Sequence, residues 1–357
     1  MSTLYNSISL KEATDLIASI GDKVTVVVQG HMGYGKTSML KELARRFPNH
    51  LPVYCDMTTK DLGDLFIPKI VDIDGSDAVS FIPNEELGFH SDRPVLFDAD
   101  ELGKASPAVL NAMNRILLER AAGRYKFREG SIVFATTNLS SEAIGDMLKP
   151  HTRNRVCVVK LRKSTGKEWI EDFAIHNDVH PTIIGAAMEY PQMFQSFEEV
   201  EDPMQNHYIY HPKQPRAAFV TLRSLERASD ILKAGGNLPS GVLVHALMGV
   251  VGEQAAMDIT TMHRMHEELP VWERVIRDPE NASIPTSAPG MCMMAAKAVQ
   301  RLERETVDAW MVYLKRLRPE AQALWSRSMV SNQSKAPLVT NNRAFVEWAA
   351  DTRHLFG

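Results

Sequence analysis

A run of almost unbroken β-branched residues, Val24-Thr25-Val26-Val27-Val28, leads into Gly30-His31-Met32-Gly33-Tyr34-Gly35-Lys36-Thr37 and then into a helical stretch from Lys36 to Phe47. This succession of strand, glycine loop and helix constrains the fold more than anything else in the chain. The octapeptide fits G-x-x-x-x-G-K-[ST], and a strand before it with a helix after it is the setting in which that pattern forms a phosphate-binding loop. Glycines let the backbone turn so that successive N–H groups converge on one anion, helped by the positive end of the helix. The candidate binding residues are Gly30, Gly33, Tyr34, Gly35, Lys36, Thr37 and Ser38. Lys36 is expected to reach the β- and γ-phosphates, and the Thr37 hydroxyl to hold Mg²⁺. ATP with Mg²⁺ is the expected ligand, although the motif does not separate ATP from GTP.

A strand of this kind needs partners, and the first third of the chain supplies them. Leu51 to Cys55, Val95 to Ala99, Ile132 to Thr136 and Val156 to Leu161 are further short apolar runs alternating with helical stretches. That is the pattern of βαβ units around a parallel sheet, and the continuous apolar character suits strands covered on both faces. Lys69 to Ile73 and Ala78 to Ile82 flank Asp74-Gly75, which reads as a surface hairpin. The carboxylates of Asp72, Asp74 and Asp77 lack the glycine offset and the closing glutamate of a calcium loop. Beyond Leu161 the chain turns helical near Lys167 to Asn177, Thr182 to Met188, Ala217 to Lys233 and Ser240 to Met265. An extended connector, Asp278 to Gly290, precedes an amphipathic helix from about Met291 to Leu317 carrying Val299, Leu302, Thr306, Trp310, Tyr313 and Leu317.

Composition removes several classes. The 357 residues carry 40 Lys+Arg against 44 Asp+Glu, so no electrostatic footprint of a dedicated nucleic-acid domain exists and nucleic acid is not indicated. The longest nearly apolar run, Gly241 to Gly252, is about a dozen residues and includes His245, short of the roughly 20 that cross a bilayer. No membrane partner is expected, and the N-terminus has no secretory pattern, so the expected location is the cytoplasm. Cys55, Cys157 and Cys292 are far apart without C-x-x-C spacing, against both a disulfide framework and a zinc site. His207 and His211 stand four apart, but Pro212 and Pro215 speak against the helix that a metal pair would need.

The chemistry beyond phosphate binding is expected at three strand ends. Arg93-Pro94-Val95-Leu96-Phe97-Asp98-Ala99-Asp100-Glu101 is an apolar strand closing on Asp-Glu, in which Asp100 organises the metal and Glu101 polarises the attacking water. Asp98 points to the same side of the strand as Asp100, which leaves a frame starting at Asp98 as the alternative. Ser131 to Asn138 is another strand, ending in an amide that can orient water or touch the γ-phosphate. Arg153 and Arg155 flank the start of the last strand, where an arginine cannot easily reach its own glycine loop and so points to a neighbouring subunit.

Taken in order, these residues resemble an AAA+ ATPase, and within that superfamily the MoxR-like branch. The resemblance is best over residues 20 to 162 and weaker to about 260. It implies an α/β fold, a P-loop AAA+ parallel sheet core with a helical lid and a C-terminal helical extension. The implied domains are 1–162 for the nucleotide-binding α/β domain, 163–262 for the lid and 263–357 for the extension. Asn138 corresponds to sensor 1 and Arg155 to the arginine finger, with Arg153 as the fallback. Arg223, in Phe219-Val220-Thr221-Leu222-Arg223-Ser224, matches sensor 2, although the family usually has proline where Leu222 stands. Asp98 and Tyr34 are further departures, and residues 262 to 357 match no motif. Gly123-Arg124-Tyr125-Lys126-Phe127-Arg128 lies where family members carry a hairpin facing the ring's centre. The family implies a ring, most often a homohexamer, that remodels a protein client, with a von Willebrand factor A domain protein as a candidate partner. Two other classes remain open at this stage: a nucleic-acid-directed AAA+ motor, and a nucleotide-switched scaffold with little turnover.

Overall fold

In chain order the strands are β1 (Thr25–Gln29), β2 (Leu51–Asp56), β3 (Phe66–Ile73), β4 (Ser76–Pro83), β5 (Val95–Asp100), β6 (Ala121–Ala122), β7 (Tyr125–Lys126), β8 (Ile132–Thr137) and β9 (Val156–Lys160). The computed structural model describes residues 7–139, 153–235, 238–332 and 334–352. Five of the strands form one parallel sheet in the order β2-β5-β8-β1-β9, with β1 between β8 and β9. This is the α/β sheet that the apolar runs predict.

Alternation along the strands sends side chains to two cores. Val26, Val28, Leu96, Ile132 and Phe134 face one side and pack with Ala13 and Ile17 of α1 (Leu10–Ile20) and Met39 and Leu43 of α2 (Ser38–Arg46). Val27, Val53, Phe97, Ala99, Val133 and Ala135 face the other and pack with Val109, Met113 and Ile116 of α3 (Pro107–Glu119). Helices on both faces explain why these strands carry few polar positions, and they make a carboxylate buried mid-strand, Asp98, conspicuous.

The hairpin β3–β4 forms as expected, with Ile70 opposite Val79 and Asp72 opposite Asp77. Its two turn residues, Asp74 and Gly75, both have positive φ (54° and 81°), as a type I′ turn requires. Asp72 Oδ1 accepts the Gly75 N–H at 3.0 Å, so this carboxylate serves the turn. Ile67, Ile70, Val79 and Phe81 are each more than half exposed on this hairpin.

The chain divides into two compact units, Met1–Lys163 and Ser164–Gly357. The second is helical around one core that runs from Trp169 to Trp348 and joins residues on both sides of position 262. Its longer helices are α4 (Pro181–Glu189), α5 (Leu222–Ala234), α6 (Ser240–Val251), α7 (Glu253–Glu267), α8 (Ala288–Arg301), α9 (Val307–Leu314), α10 (Pro319–Ser331) and α11 (Arg343–Asp351). Two expectations are corrected here. The stretch from Ser240 to Met265 is two helices, because Gly252 at φ 86° ends α6, and a Cβ there would stand 2.8 Å from the Ala218 carbonyl oxygen. The single helix expected from Met291 to Leu317 is also two. Leu302 is extended, and Glu303 starts a new turn by donating its N–H to Thr306 Oγ1 at 3.1 Å. The extended connector from Asp278 is packed into the unit: Ala282 is wholly buried in the core and Tyr313 donates its hydroxyl to the Ser283 carbonyl at 2.7 Å. No helix among the described residues is long and apolar enough to cross a membrane.

Within this unit His180 caps α4, its Nδ1 accepting the Thr182 N–H at 3.2 Å. Burial, reinforced by the charges of His266, His263 and Lys233, brings the His180 pKa down to about 3. Burial likewise brings His266 down to about 4, with Lys297, His263 and Arg301 adding to it.

Candidate active site

The sheet register sets Gln29 beside Thr137 and Ala99 beside Ala135, so the segments that follow β1, β8 and β5 emerge together at one edge. The glycine loop from Gly30 to Thr37 leaves β1 there. Gly33 and Gly35 adopt φ of 78° and 87°, the left-handed region that suits glycine, which is how the loop curls on itself. Gly30 donates its N–H to the Thr137 carbonyl at 3.1 Å, and a Cβ at that position would lie 3.1 Å from Leu161 Cβ. Tyr34 turns inward, 6% exposed, with its ring edge-on to His31. The helix begins at Ser38, two residues later than the sequence suggests, and leaves Lys36 and Thr37 in the turn. Both the N–H and the hydroxyl of Ser38 donate to the Gly35 carbonyl, at 2.9 and 2.7 Å. Thr37 is exposed at the N-cap and makes no side-chain cap bond.

Lys36 is 6% exposed. Its Nζ donates to the Gly30 carbonyl (2.6 Å), the His31 carbonyl (3.2 Å) and Asn138 Oδ1 (2.8 Å). An ammonium has three donors, so these bonds hold it on the inner side of its own loop. Asn138 follows β8, and its Nδ2 donates to both Glu101 oxygens at 2.9 Å. Amide orientation is assigned from the network, and here only one assignment works, with oxygen toward the cation and nitrogen toward the carboxylate. Lys36, Asn138 and Glu101 therefore form one hydrogen-bonded chain across the ends of three segments.

Glu101 leaves β5 with φ 54° and ψ 37°, a left-handed conformation that costs a non-glycine residue about 1–3 kcal/mol and concentrates at functional sites. The kink breaks the strand's alternation and lets the carboxylate meet Asn138 and, at 3.3 Å, Lys104. Asp100 is the hydrogen-bonded member of the neighbouring pair. Its Oδ1 accepts from Thr136 Oγ1 and from the Glu101 N–H, and its Oδ2 accepts from the Tyr54 hydroxyl at 2.8 Å. Burial first, then hydrogen bonding to Asp100, pushes the Tyr54 phenol pKa up, so the phenol stays a donor. Asp98 lies two residues deeper on the same face, unexposed, with no partner for either oxygen among the described residues. Burial, with the Asp100 charge behind it, holds the Asp98 carboxyl well above the ordinary range and therefore protonated. Asp100 and Asp98 are thus chemically unlike, and Asp100 is the one at the mouth.

Arg153 and Arg155 are both exposed. Because β9 pairs parallel with β1 and Val156 sits beside Thr25, Arg155 lies at the start of the strands while the glycine loop lies at their far end. At about 3.3 Å per residue the six residues between them along the sheet come to roughly 20 Å. The arginine and its own loop are not brought together. Arg223 belongs to the second unit, exposed in the first turn of α5. Tyr54 and Thr136 are site residues that motif reading does not reveal. A half-exposed tyrosine on a strand has no distinctive spacing, and only the pairing of β2 with β5 shows its purpose.

No protein-family model matches this sequence, and no curated protein is significantly similar to it. Among solved structures the chain is similar to a mutant of RuvB from Thermotoga maritima, at 14% identity and TM-score 0.39, covering 86% of this chain and 87% of that one. It is similar to NtrX of Brucella abortus at 13% identity and TM-score 0.38, covering 98% of this chain and 68% of that one. The S. cerevisiae Hsp104–ADP complex matches at 17% identity and TM-score 0.35, over 68% of this chain and 36% of that one. At TM-scores below 0.5 none of these likenesses bears on what the chain does.

Proposed function

We propose that the chain hydrolyses ATP with Mg²⁺, as an AAA+ ATPase of the MoxR-like kind that works as a ring of identical subunits on a protein client. The observation that carries the reading is the chain Lys36–Asn138–Glu101, which couples the cation of a phosphate-type loop to a carboxylate on a kinked strand end through one amide. A glycine turn that happened to lack a ligand would have no reason to bury a lysine on its own carbonyls. Lys36 and the loop amides suit phosphate oxygens. Thr37 and Asp100 offer the hydroxyl and carboxylate oxygens that a hard cation takes. Mg²⁺, when bound, would neutralise charge on the β- and γ-phosphate oxygens.

In this reading Glu101 accepts a proton from water, and Asn138, whose Nδ2 donates to both its oxygens, orients them. Asp98 stays neutral behind Asp100 and adds no second charge. The position of Arg155, far from its own loop, supports a role on a neighbouring subunit's nucleotide. By the family resemblance a homohexamer is the assembly and Arg223 acts from the lid at 163–262, with a von Willebrand factor A domain protein as candidate client; residues 263–357, which match no family motif, are where partner specificity can reside.

The test is phosphate release with ATP and with GTP. Glu101→Gln is expected to bind ATP and to lose turnover by about 10²- to 10⁴-fold, the usual worth of a general base. Lys36→Ala is expected to lose binding itself. Unchanged turnover in Glu101→Gln would remove the assignment of the base. Native mass of Glu101→Gln with ATP and Mg²⁺ tests the ring: a shift to six subunits supports it, and an unchanged monomer refutes it.

A further inference from the structure

We propose that His180, His263 and His266 form a binding site for one late first-row divalent cation, Zn²⁺ foremost, which ties α4 to α7 in the second unit. The three residues each offer a ring nitrogen, and these nitrogens all lie within 4.8 Å of one another. His263 and His266 stand three apart on α7 and so share a face. Their rings are nearly parallel, 7° apart with centroids at 6.3 Å. His180 comes from the N-cap of α4, with its ring 4.9 Å from His266 and 5.7 Å from His263. All three are partly buried.

The surroundings resemble those of a ligand set. Thr182, itself wholly buried, places Oγ1 3.3 Å from His263 Nδ1, the kind of outer partner that fixes a ligating ring. His266 has no hydrogen-bond partner for either nitrogen among the described residues. No carboxylate belongs to the cluster. Three imidazole nitrogens suit Zn²⁺, Co²⁺, Ni²⁺ or Cu²⁺ and not Mg²⁺ or Ca²⁺, which require oxygen. The site is therefore chemically separate from the metal of the nucleotide reading and does not depend on it.

Tetrahedral Zn²⁺ with Zn–N near 2.0–2.1 Å sets nitrogens about 3.3–3.4 Å apart, inside the 4.8 Å that bounds the separations here. His180 gives up its cap on Thr182, because the amide N–H and a metal compete for the same ring. Three protein ligands leave the fourth position to solvent. Lys233 acts on His180, and Lys297 and Arg301 on His266, as nearby positive charges, so an anionic fourth ligand such as hydroxide or chloride would offset them.

The experiment is calorimetric titration of the full chain, stripped with chelator, with ZnCl₂. Co²⁺ absorption and melting temperature are measured in parallel. The wild type and the exposed-residue control His207→Ala should bind one Zn²⁺ per chain, show a Co²⁺ spectrum and melt higher with Zn²⁺, while Mg²⁺ does none of this. The double variant His263→Ala/His266→Ala should lose affinity by more than the roughly 10- to 100-fold that loss of an outer partner costs. Circular dichroism checks its fold, and His266→Gln, a milder change, gives the same reading if the double variant does not fold. Equal Zn²⁺ affinity in wild type and variants, or no Zn²⁺ binding by the wild type, overturns the site.

Discussion

Replacing Asp98 with asparagine should change how stability depends on pH, and the size of the effect follows from the site. The carboxyl is unexposed on β5, neither oxygen has a partner among the described residues, and burial with the Asp100 charge holds it protonated well above its ordinary value of 3.8. In the unfolded chain it ionises near that ordinary value. Its contribution to stability is thus fully present below pH 3.8 and is lost as pH rises toward the folded pKa. Each pH unit in that interval is worth about 1.4 kcal/mol. Wherever the unfolded carboxyl is ionised and the folded one is not, the wild type should therefore lose that amount per pH unit relative to Asp98→Asn, whose side chain does not titrate. Urea unfolding at pH 4, 5 and 6, followed by far-UV circular dichroism, measures the difference, and the other titrating groups cancel in it. All five tryptophans (Trp169, Trp272, Trp310, Trp325 and Trp348) lie in the second unit, so a fluorescence midpoint that stays put assigns the change to the first. A stability gap that is flat from pH 4 to pH 6 would refute a buried neutral carboxyl at this position.

Asn138→Ala removes the amide between Lys36 and Glu101. Hydrogen bonds to charged groups are worth about 1.5–3 kcal/mol, so kcat should fall about 10- to 100-fold with a smaller change in KM; steady-state phosphate release decides it. Gly252→Ala forces a Cβ to 2.8 Å from a backbone oxygen at φ 86°, and should lower the second unit's stability by about 1–3 kcal/mol, read by tryptophan fluorescence in urea. Gly75→Ala meets nothing within 4 Å, so only its positive φ is penalised, at about 1–2 kcal/mol, and the melting curve should move less than for Gly252→Ala.

The sheet was legible because parallel strands buried on both faces read as continuous apolar runs, and the β3–β4 turn because Asp-Gly at positive φ has few other uses. The glycine loop, Asp100, Glu101 and Asn138 stand at strand ends, where sequence alone already places them at one edge. What the sequence hides is whatever depends on a distant neighbour. The break at Gly252 follows from the backbone at Ala218, and the break after Leu302 is masked because α8 and α9 bury their apolar faces in the same core. The visible histidine pair is not where the imidazoles gather. His211 spends its Nε2 on the Val200 carbonyl and its Nδ1 on the Lys213 N–H, whereas His180 of the cluster is separated from His263 and His266 by 83 and 86 residues of chain. Asp98 is plainly out of place in an apolar strand, but only its missing partners show that it is neutral.

The parallel pairing of β9 with β1 also restricts symmetry. A two-fold contact needs both halves of a recognition pair on a single patch that meets its own copy. Arg155 and the glycine loop leave opposite ends of neighbouring strands, so a contact between the two can join different patches of two copies. An assembly built on such a contact repeats head to tail, each copy giving in one direction and receiving in the other. Such a series closes when the rotation per step returns to its start, and otherwise continues as a filament. The number of subunits is then set by the tilt of that contact and not by the residues at the phosphate, so a surface change remote from the loop can alter ring size while every catalytic group stays in place.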